Sequence, residues 1–218
     1  MSKIDTSWSR LIDTDMGGYV MDQMNDSRRS YHNINHIRRL YAKAKEWGLK
    51  YDPDLDAAIL WHDAVYDDAP DKEIRSAELM NNTAELMPDW FEMVDLDQAT
   101  EMILSTITHS VSSTKNSLMI KLDLAELGDP DRCKENFWAI QKEGLALAGG
   151  ELDRVDIAAN TIKFMTHFKT IVQDNTAIEY DDSKFVGDGN SYWESVMAGI
   201  NTTILMAETV IKTLENDS

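Results

Sequence analysis

The sequence predicts an all-α protein: one helical bundle of roughly seven to nine helices that forms a single domain over residues 1–218. Three observations lead to this prediction. Apolar residues recur at three-and-four spacing through most of the chain, as they do along the buried face of a helix. Gly (10) and Pro (4) are scarce, which disfavours a turn-rich β fold. No segment alternates apolar and polar residues as a half-buried strand does.

The N-terminal part of the chain contains two well-marked helical segments. Residues 30–48 carry an apolar stripe at helical spacing, so we expect one helix there. Pro53 follows between two aspartates and suits the first turn of a second helix. The segment 55–66 is apolar nearly all round, which predicts a central buried helix that includes His62 and Asp63.

The rest of the chain shows the same helical periodicity in six further segments. These segments are 72–87, 95–109, 116–128, 132–149, 151–172 and 192–214. The stretch 179–191 is the long loop of the sequence, and we interpret it as a connection rather than a lid. The C-terminal helix is expected to cap the core. Whether it also supports a homo-oligomer is left open by the sequence.

Charge and composition restrict the partners. The net charge of −18 repels duplex nucleic acid and anionic membranes, but a small phosphorylated substrate remains compatible with it if bound metal ions reverse the local charge. No apolar run approaches the ~20 residues of a membrane span, and no apolar stretch follows Met1 as in a signal peptide. The one cysteine, Cys133, excludes an internal disulfide and suggests a reducing compartment. We therefore expect a cytoplasmic protein.

Ionisable residues stand at positions where the helix period favours apolar ones. His62 and Asp63 interrupt the most apolar helix, and Asp123 lies between Leu122 and Leu124. Buried carboxylates are rare unless they are paired or bound to a cation. Taken alone, Asp123 is as compatible with a structural role, as an acceptor for a neighbouring helix or as the partner of an arginine, as with a functional one.

Histidines add a second signal to these carboxylates. His32 and His36 are four residues apart, so we expect them on one face of a helix. Taken with the other ionisable positions, three separate helices supply two imidazoles and two carboxylates: His36, His62, Asp63 and Asp123. Helix bundles build metal sites from facing helices in this way. The mixed set suits one or two divalent ions of Mn, Fe, Co, Ni or Zn, tolerates Mg, and allows Asp63 to bridge two ions.

The order of these residues resembles the HD-domain superfamily of metal-dependent phosphohydrolases. Five ordered motifs carry the resemblance: YHNINH at 31–36, WHDAVYD at 61–67, EIRSA at 73–77, STITHS at 105–110 and LDLAELG at 122–128. They resemble those of a subgroup with YHNxxH, HDAVYD, TxxH and DLAxLG motifs. The resemblance covers residues 29–128 and fades after about residue 131. Lys121 stands where the last motif of the subgroup begins with Asp.

The resemblance also implies roles for individual residues. The first metal ion would be held by His36, His62, Asp63 and Asp123, and Asp63 would also bridge to a second, weaker ion. His32 matches the position that protonates the leaving oxygen in similar phosphodiesterases. His109 would bind the second metal or the phosphate, and Glu73 would orient or deprotonate water.

Nearby cations complete the expected site. Contacts to the phosphoryl oxygens are expected from Arg29, Lys72, Arg75 or Lys121, although a side chain of this kind is more often a solvated surface charge. The expected activity is hydrolysis of a phosphate ester or anhydride of a small molecule by metal-activated water. A nucleotide is the favoured substrate, and the sequence leaves open a monophosphatase, a dNTP triphosphohydrolase and a cyclic phosphodiesterase.

Two other classes of protein remain as alternatives. One is a catalytically inactive HD module that binds metal and senses a ligand or regulates a partner, because fold alone does not establish catalysis. The other is a purely structural helical scaffold, which would leave the buried positions of His62, Asp63 and Asp123 without a reason.

Overall fold

A computed structural model describes residues 4–67, 69–176 and 189–216 of the chain. Within these ranges the protein is all-helical, with nine α-helices, one short 3₁₀ helix and no strand. The predicted all-α class and number of helices are confirmed. The chain divides into two compact units, Met1–Asp123 and Leu124–Ser218, each described here by itself. The prediction of one domain over 1–218 stays a prediction.

The first unit contains six α-helices. They are α1 (Asp15–Gln23), α2 (Ile34–Glu46), α3 (Pro53–Trp61), α4 (Lys72–Leu86), α5 (Leu96–Thr108) and α6 (Thr114–Asp123), with the 3₁₀ helix Pro88–Phe91 between α4 and α5. Helix α3 is the central element: it contacts α1, α2, α4, α5 and α6. It is buried on nearly every side, as its apolar composition predicts.

The second unit contains three long helices. They are α7 (Pro130–Leu147), α8 (Arg154–Thr176) and α9 (Gly189–Asn216). Phe137, Ala158 and Ala207 form a core shared by all three. Gly199 lies so close to the carbonyl oxygen of Leu127 that a Cβ atom there would overlap it. None of the helices in the described ranges is long and apolar enough to cross a membrane.

Local sequence signals explain where several helices begin. The side chain of Asp52 accepts hydrogen bonds from the backbone N–H groups of Asp54 and Leu55, and Pro53 occupies the first turn of α3 as predicted. The side chain of Asn33 accepts a hydrogen bond from the N–H of Asn35 at the start of α2. Each cap satisfies backbone donors that a helix leaves free in its first turn.

Two predicted helix boundaries are wrong in ways that affect the site. The helix predicted over 55–66 ends at Trp61, and His62 is its C-cap residue. The helix predicted over 30–48 begins at Ile34 because Asn33 caps it, so His32 precedes the helix. His32 and His36 therefore do not share a helical face.

Two further segments bear on predicted boundaries. The helix predicted over 116–128 ends at Asp123 and is followed by a turn. Of the connection predicted at 179–191, residues 179–188 lie outside the described ranges and 189–191 belong to α9.

Asp56 fastens the N-terminal segment to α3. It is fully buried, and its carboxylate accepts hydrogen bonds from the Ser9 hydroxyl at 2.7 Å and from the Arg10 N–H at 2.8 Å. Burial raises the pKa of this carboxyl against the opposing effect of the bond from Ser9.

The substitution Asp56→Ala tests this attachment. It removes the acceptor of two partly buried hydrogen bonds, so we expect it to lower the free energy of unfolding by about 1–3 kcal/mol. Urea unfolding followed by circular dichroism measures the change. Asp13→Ala, at an exposed position, is the control and should change stability by less than about 0.5 kcal/mol. Equal stability of both variants would show that the Asp56 contacts contribute nothing.

Candidate metal centre

Three helices of the first unit bring four ionisable side chains together. His36 lies in the first turn of α2, His62 caps the C-terminus of α3, Asp63 follows it, and Asp123 is the last residue of α6. These helices contact one another within the unit. The side chains of His36 and His62 are buried, and that of Asp123 is 16% exposed. The site is thus built at helix ends.

The Nε2 atom of each buried imidazole lies within 3.7 Å of an oxygen of both carboxylates. The Nε2 atom of His36 lies 3.0 Å from Oδ1 of Asp123 and 3.7 Å from Oδ2 of Asp63. The Nε2 atom of His62 lies 3.1 Å from Oδ2 of Asp63 and 3.5 Å from Oδ1 of Asp123. One potential ligand atom from each of His36, His62 and Asp123 lies within 4.8 Å of the other two. The structure therefore gathers all four residues predicted as metal ligands.

The backbone fixes the tautomer of His62. Its Nδ1 lies 2.9 Å from the carbonyl oxygen of Ile59, one turn earlier in α3. A carbonyl only accepts, so Nδ1 carries the proton and donates it. In the neutral imidazole Nε2 then presents a lone pair, and it faces the carboxylate oxygens of Asp63 and Asp123. Acceptors opposed in this way repel unless a proton or a metal ion lies between them.

A divalent ion fits this arrangement. Neighbouring ligand atoms bound to one ion at about 2.0–2.2 Å lie roughly 2.9–3.5 Å apart. The four distances between nitrogen and oxygen run from 3.0 to 3.7 Å, close to that range. The two carboxylates balance a double positive charge when both imidazoles are neutral. Moreover, the hydrogen bond from Nδ1 to a backbone carbonyl is the usual way in which a ligating histidine is oriented.

Without an ion, the same groups shift one another's protonation. Burial opposes charge on His62, but Asp63 and Asp123 outweigh it and raise the pKa of the imidazole well above its usual value. Burial likewise raises the pKa of Asp63, and the neighbouring imidazoles reverse this effect and hold it below its usual range. Asp123 behaves in the same way, held down by His109, His36 and His62. In the absence of an ion, the two carboxylates therefore favour a proton on His62.

His109 reaches the cluster from the end of α5. It is the C-cap residue of that helix, with a left-handed backbone at φ 52°. Such a conformation is unusual for a residue with a side chain. It directs Nε2 of His109 to 3.2 Å from Oδ2 of Asp123. His109 therefore contacts one oxygen of the Asp123 carboxylate while His36 contacts the other, and its predicted contact with a second metal or phosphate stays a prediction.

His32 lies beside the cluster. Its ring stacks on that of Tyr66, with centroids 4.0 Å apart and planes 20° from parallel. The edge of Tyr31 meets it at 4.6 Å, and the ring of His36 lies 6.0 Å away. Both His32 and Tyr66 are half-buried. The predicted proton donor is therefore next to the candidate metal centre, and aromatic rings hold it on two sides.

The remaining predicted site residues take other positions. Glu73 lies in the first turn of α4; within the described part of the chain it forms an ion pair with Lys72 at 3.3 Å and no hydrogen bond or ion pair with the cluster. The Lys72 ammonium lies 5.1 Å from the centre of the Tyr66 ring. Lys121, at the departure from the motif, is buried. Their roles toward water and phosphate stay predictions.

The two arginines make contacts that favour anchoring over phosphate binding. Arg29 is buried and donates through its guanidinium to the backbone carbonyls of Asp63 and Gln23. Arg75 donates to both oxygens of Asp67, at 2.6 and 3.0 Å, and to Asp71 at 2.9 Å. Arg29 thus holds the backbone of a predicted metal ligand, and Arg75 holds the loop that follows α3.

Comparison of the chain with protein-family models, with curated proteins and with solved structures finds no match in any of the three. The function is therefore inferred from the fold, the side-chain geometry and the sequence motifs.

The protonation of His62 gives a pH test. Its pKa is raised in the folded, metal-free protein, so it stabilises the fold below its ordinary pKa of about 6.5, and this contribution is lost as pH rises through the folded-state pKa. We expect the melting temperature of chelator-treated protein to fall as pH rises above about 6.5, and the fall to be smaller in His62→Gln.

His167→Gln, at an exposed position of α8, is the matched control and should keep the slope of the wild type. Differential scanning calorimetry measures both. A flat profile in the wild type, or an unchanged slope in His62→Gln, would contradict the assignment.

Proposed function

We propose that this protein is a metal-dependent phosphohydrolase of the HD type, which hydrolyses a phosphate ester or anhydride of a small molecule. The observation that carries the proposal is that Nε2 of His62 faces two carboxylates while Nδ1 faces a backbone carbonyl. The Nδ1 bond to Ile59 leaves Nε2 at 3.1 Å from Asp63 and 3.5 Å from Asp123. A divalent cation relieves that opposition of acceptors, and His36 completes the set of ligands.

Hydrolysis of a phosphate is favoured over simple metal storage by what lies beside the cluster. His32 is 6.0 Å from His36 between ring centres, and its role as a proton donor requires that it does not ligate the metal. Lys72 provides a cation 5.1 Å from the centre of the Tyr66 ring, on which His32 stacks. Hydrolysis of a phosphate needs a proton donor for the leaving oxygen and positive charge near the phosphoryl oxygens, and both would lie beside the metal ion here.

We infer the substrate class from the order of the sequence motifs and not from the shape of a binding pocket. The motifs from YHNINH to LDLAELG resemble those of enzymes that act on nucleotides, so a nucleotide is the proposed substrate. Monophosphate removal, triphosphate removal from a dNTP and opening of a cyclic diester remain the three candidate reactions. The single cysteine also supports the proposal of a reducing, cytoplasmic compartment.

The residues of this chain divide the work as follows. His36, His62, Asp63 and Asp123 would hold the ion, which supplies Lewis acidity to phosphoryl oxygens and lowers the pKa of water to about 7. His109 keeps the Asp123 carboxylate in place by its contact with Oδ2.

His32, as an imidazolium, donates a proton to the leaving oxygen, a contribution typically worth about 10²–10⁴ in rate. Lys72 is available to balance negative charge on the substrate, and Glu73 is available to orient water. Neither of the last two roles needs a direct contact with the metal ligands.

A comparison of Asp63→Asn with the wild type tests the metal centre. Asp63→Asn removes one charged ligand, and we expect it to abolish both stoichiometric binding of divalent ions and hydrolysis. Elemental analysis and a screen of mononucleotides, dNTPs and cyclic nucleotides with Mn, Mg, Co and Ni measure these effects. Asp13→Asn, at an exposed position, should leave both unchanged.

If metal-loaded wild type binds one of these compounds but hydrolyses none, and Asp63→Asn loses that binding, the protein is the inactive sensing or regulatory module instead. If neither metal removal nor Asp63→Asn changes stability or activity, the scaffold interpretation gains.

The variant His32→Gln tests the proton donor separately. It should lower kcat by about 10²–10⁴ for substrates with poor leaving groups and much less for an activated ester such as a nitrophenyl phosphate, because a good leaving group needs no proton. Metal content should equal that of the wild type. Loss of metal in His32→Gln would identify His32 as a ligand and overturn its assignment.

A further inference from the structure

Tyr66 lies between two residues that are fixed to α4. On one side, the Ser76 hydroxyl accepts a hydrogen bond from the N–H of Val65 at 3.0 Å and donates to the carbonyl of Val65 at 3.2 Å. On the other side, Arg75 binds both carboxylate oxygens of Asp67. Ser76 is fully buried, so the first anchor is protected from water. The backbone on both sides of Tyr66 is therefore held in place.

The anchored loop presents the Tyr66 ring to His32. The two rings are stacked at 4.0 Å with planes 20° apart, whereas the rings of Tyr31 and His36 meet the imidazole edge-on. His32 itself precedes α2, so no helical backbone restrains it. Neighbouring residues contribute to its position: Asn33 caps the helix and donates to the carbonyl of Arg29 at 3.1 Å, and the aromatic rings contact the imidazole.

We propose that Tyr66 is a positioning residue for His32: the stacked ring holds the imidazole in the orientation in which it meets the leaving group of the substrate. The inference rests on the proposed function for its chemical meaning, because the imidazole is the proton donor of that reaction. Aromatic stacking contributes through the face of the ring, so the phenol hydroxyl is not required. Misplacement of a reacting group by about 1 Å costs up to about 10²-fold in rate.

Substitution at Tyr66 separates the ring from the hydroxyl. Tyr66→Phe keeps the ring and should keep kcat within about twofold of the wild type. Tyr66→Leu removes the ring and should lower kcat by about 10- to 10²-fold, with KM and metal content unchanged. Tyr19→Leu, at a surface position of α1, is the matched control and should keep the kcat of the wild type. If Tyr66→Leu lowers the melting temperature by several degrees, Tyr66→Met replaces it.

A double mutant distinguishes positioning from a general structural effect. In the His32→Gln background, Tyr66→Leu should lower kcat no further, because the group that it positions is already absent. An additional loss equal to that in the wild-type background would overturn the proposal.

Nuclear magnetic resonance supplies a readout that does not depend on activity. The ring protons of His32, identified by their absence in His32→Gln, should be shifted upfield by the face of Tyr66. The shift should persist in Tyr66→Phe and disappear in Tyr66→Leu. Identical His32 shifts in all three proteins would overturn the proposal. If no phosphate compound is hydrolysed, the proposed function fails, while this shift still decides whether Tyr66 holds His32.

Discussion

The contact between two carboxylates and two imidazole nitrogens, away from bulk water, is the constraint on which the candidate site depends. Asp63 and Asp123 approach His36 and His62 to between 3.0 and 3.7 Å. Buried charges of this kind persist only when a proton or a cation balances them. The surrounding structure meets this need by fixing the donors: the Ile59 carbonyl sets the tautomer of His62, and Arg29 holds the backbone of Asp63. The proposed metal site and the proposed chemistry both follow from this contact.

Periodicity predicted the helices well, and it failed at the helix boundaries near the site. The apolar run of 55–66 continues beyond Trp61, but the chain leaves the helix there and turns His62 and Asp63 toward the other ligands. In the same way, Asn33 begins α2 after His32 and removes the expected shared face. Hydrophobic patterns describe which faces are buried, whereas helix ends depend on a few hydrogen bonds. The candidate ligands were predictable because burial of an ionisable side chain costs free energy whether or not the residue lies inside a helix.

Other features of the site left weaker signals in the sequence. The left-handed backbone of His109 is not detectable from residue type, because glycine is the usual residue in that conformation. Ser76 and Tyr66 fall within the motifs at 73–77 and 61–67, yet a serine and a tyrosine there are equally typical of ordinary helical packing. The pairing of Arg75 with Asp67 is a tertiary contact between residues eight apart. The structural role of each of these residues is evident only from the residues that contact it in the folded protein.

Calorimetric titration of the chelator-treated protein with Mn²⁺ or Zn²⁺ in buffers of different ionisation enthalpy tests whether a metal ion binds at the cluster in place of a proton. Such a series gives the number of protons released per ion bound. If a metal ion replaces the proton on His62, binding near pH 7 should release about one proton, and His62→Gln should bind the ion more weakly and release fewer. Binding without proton release, or release that persists in His62→Gln, would contradict the account, as would the absence of any binding.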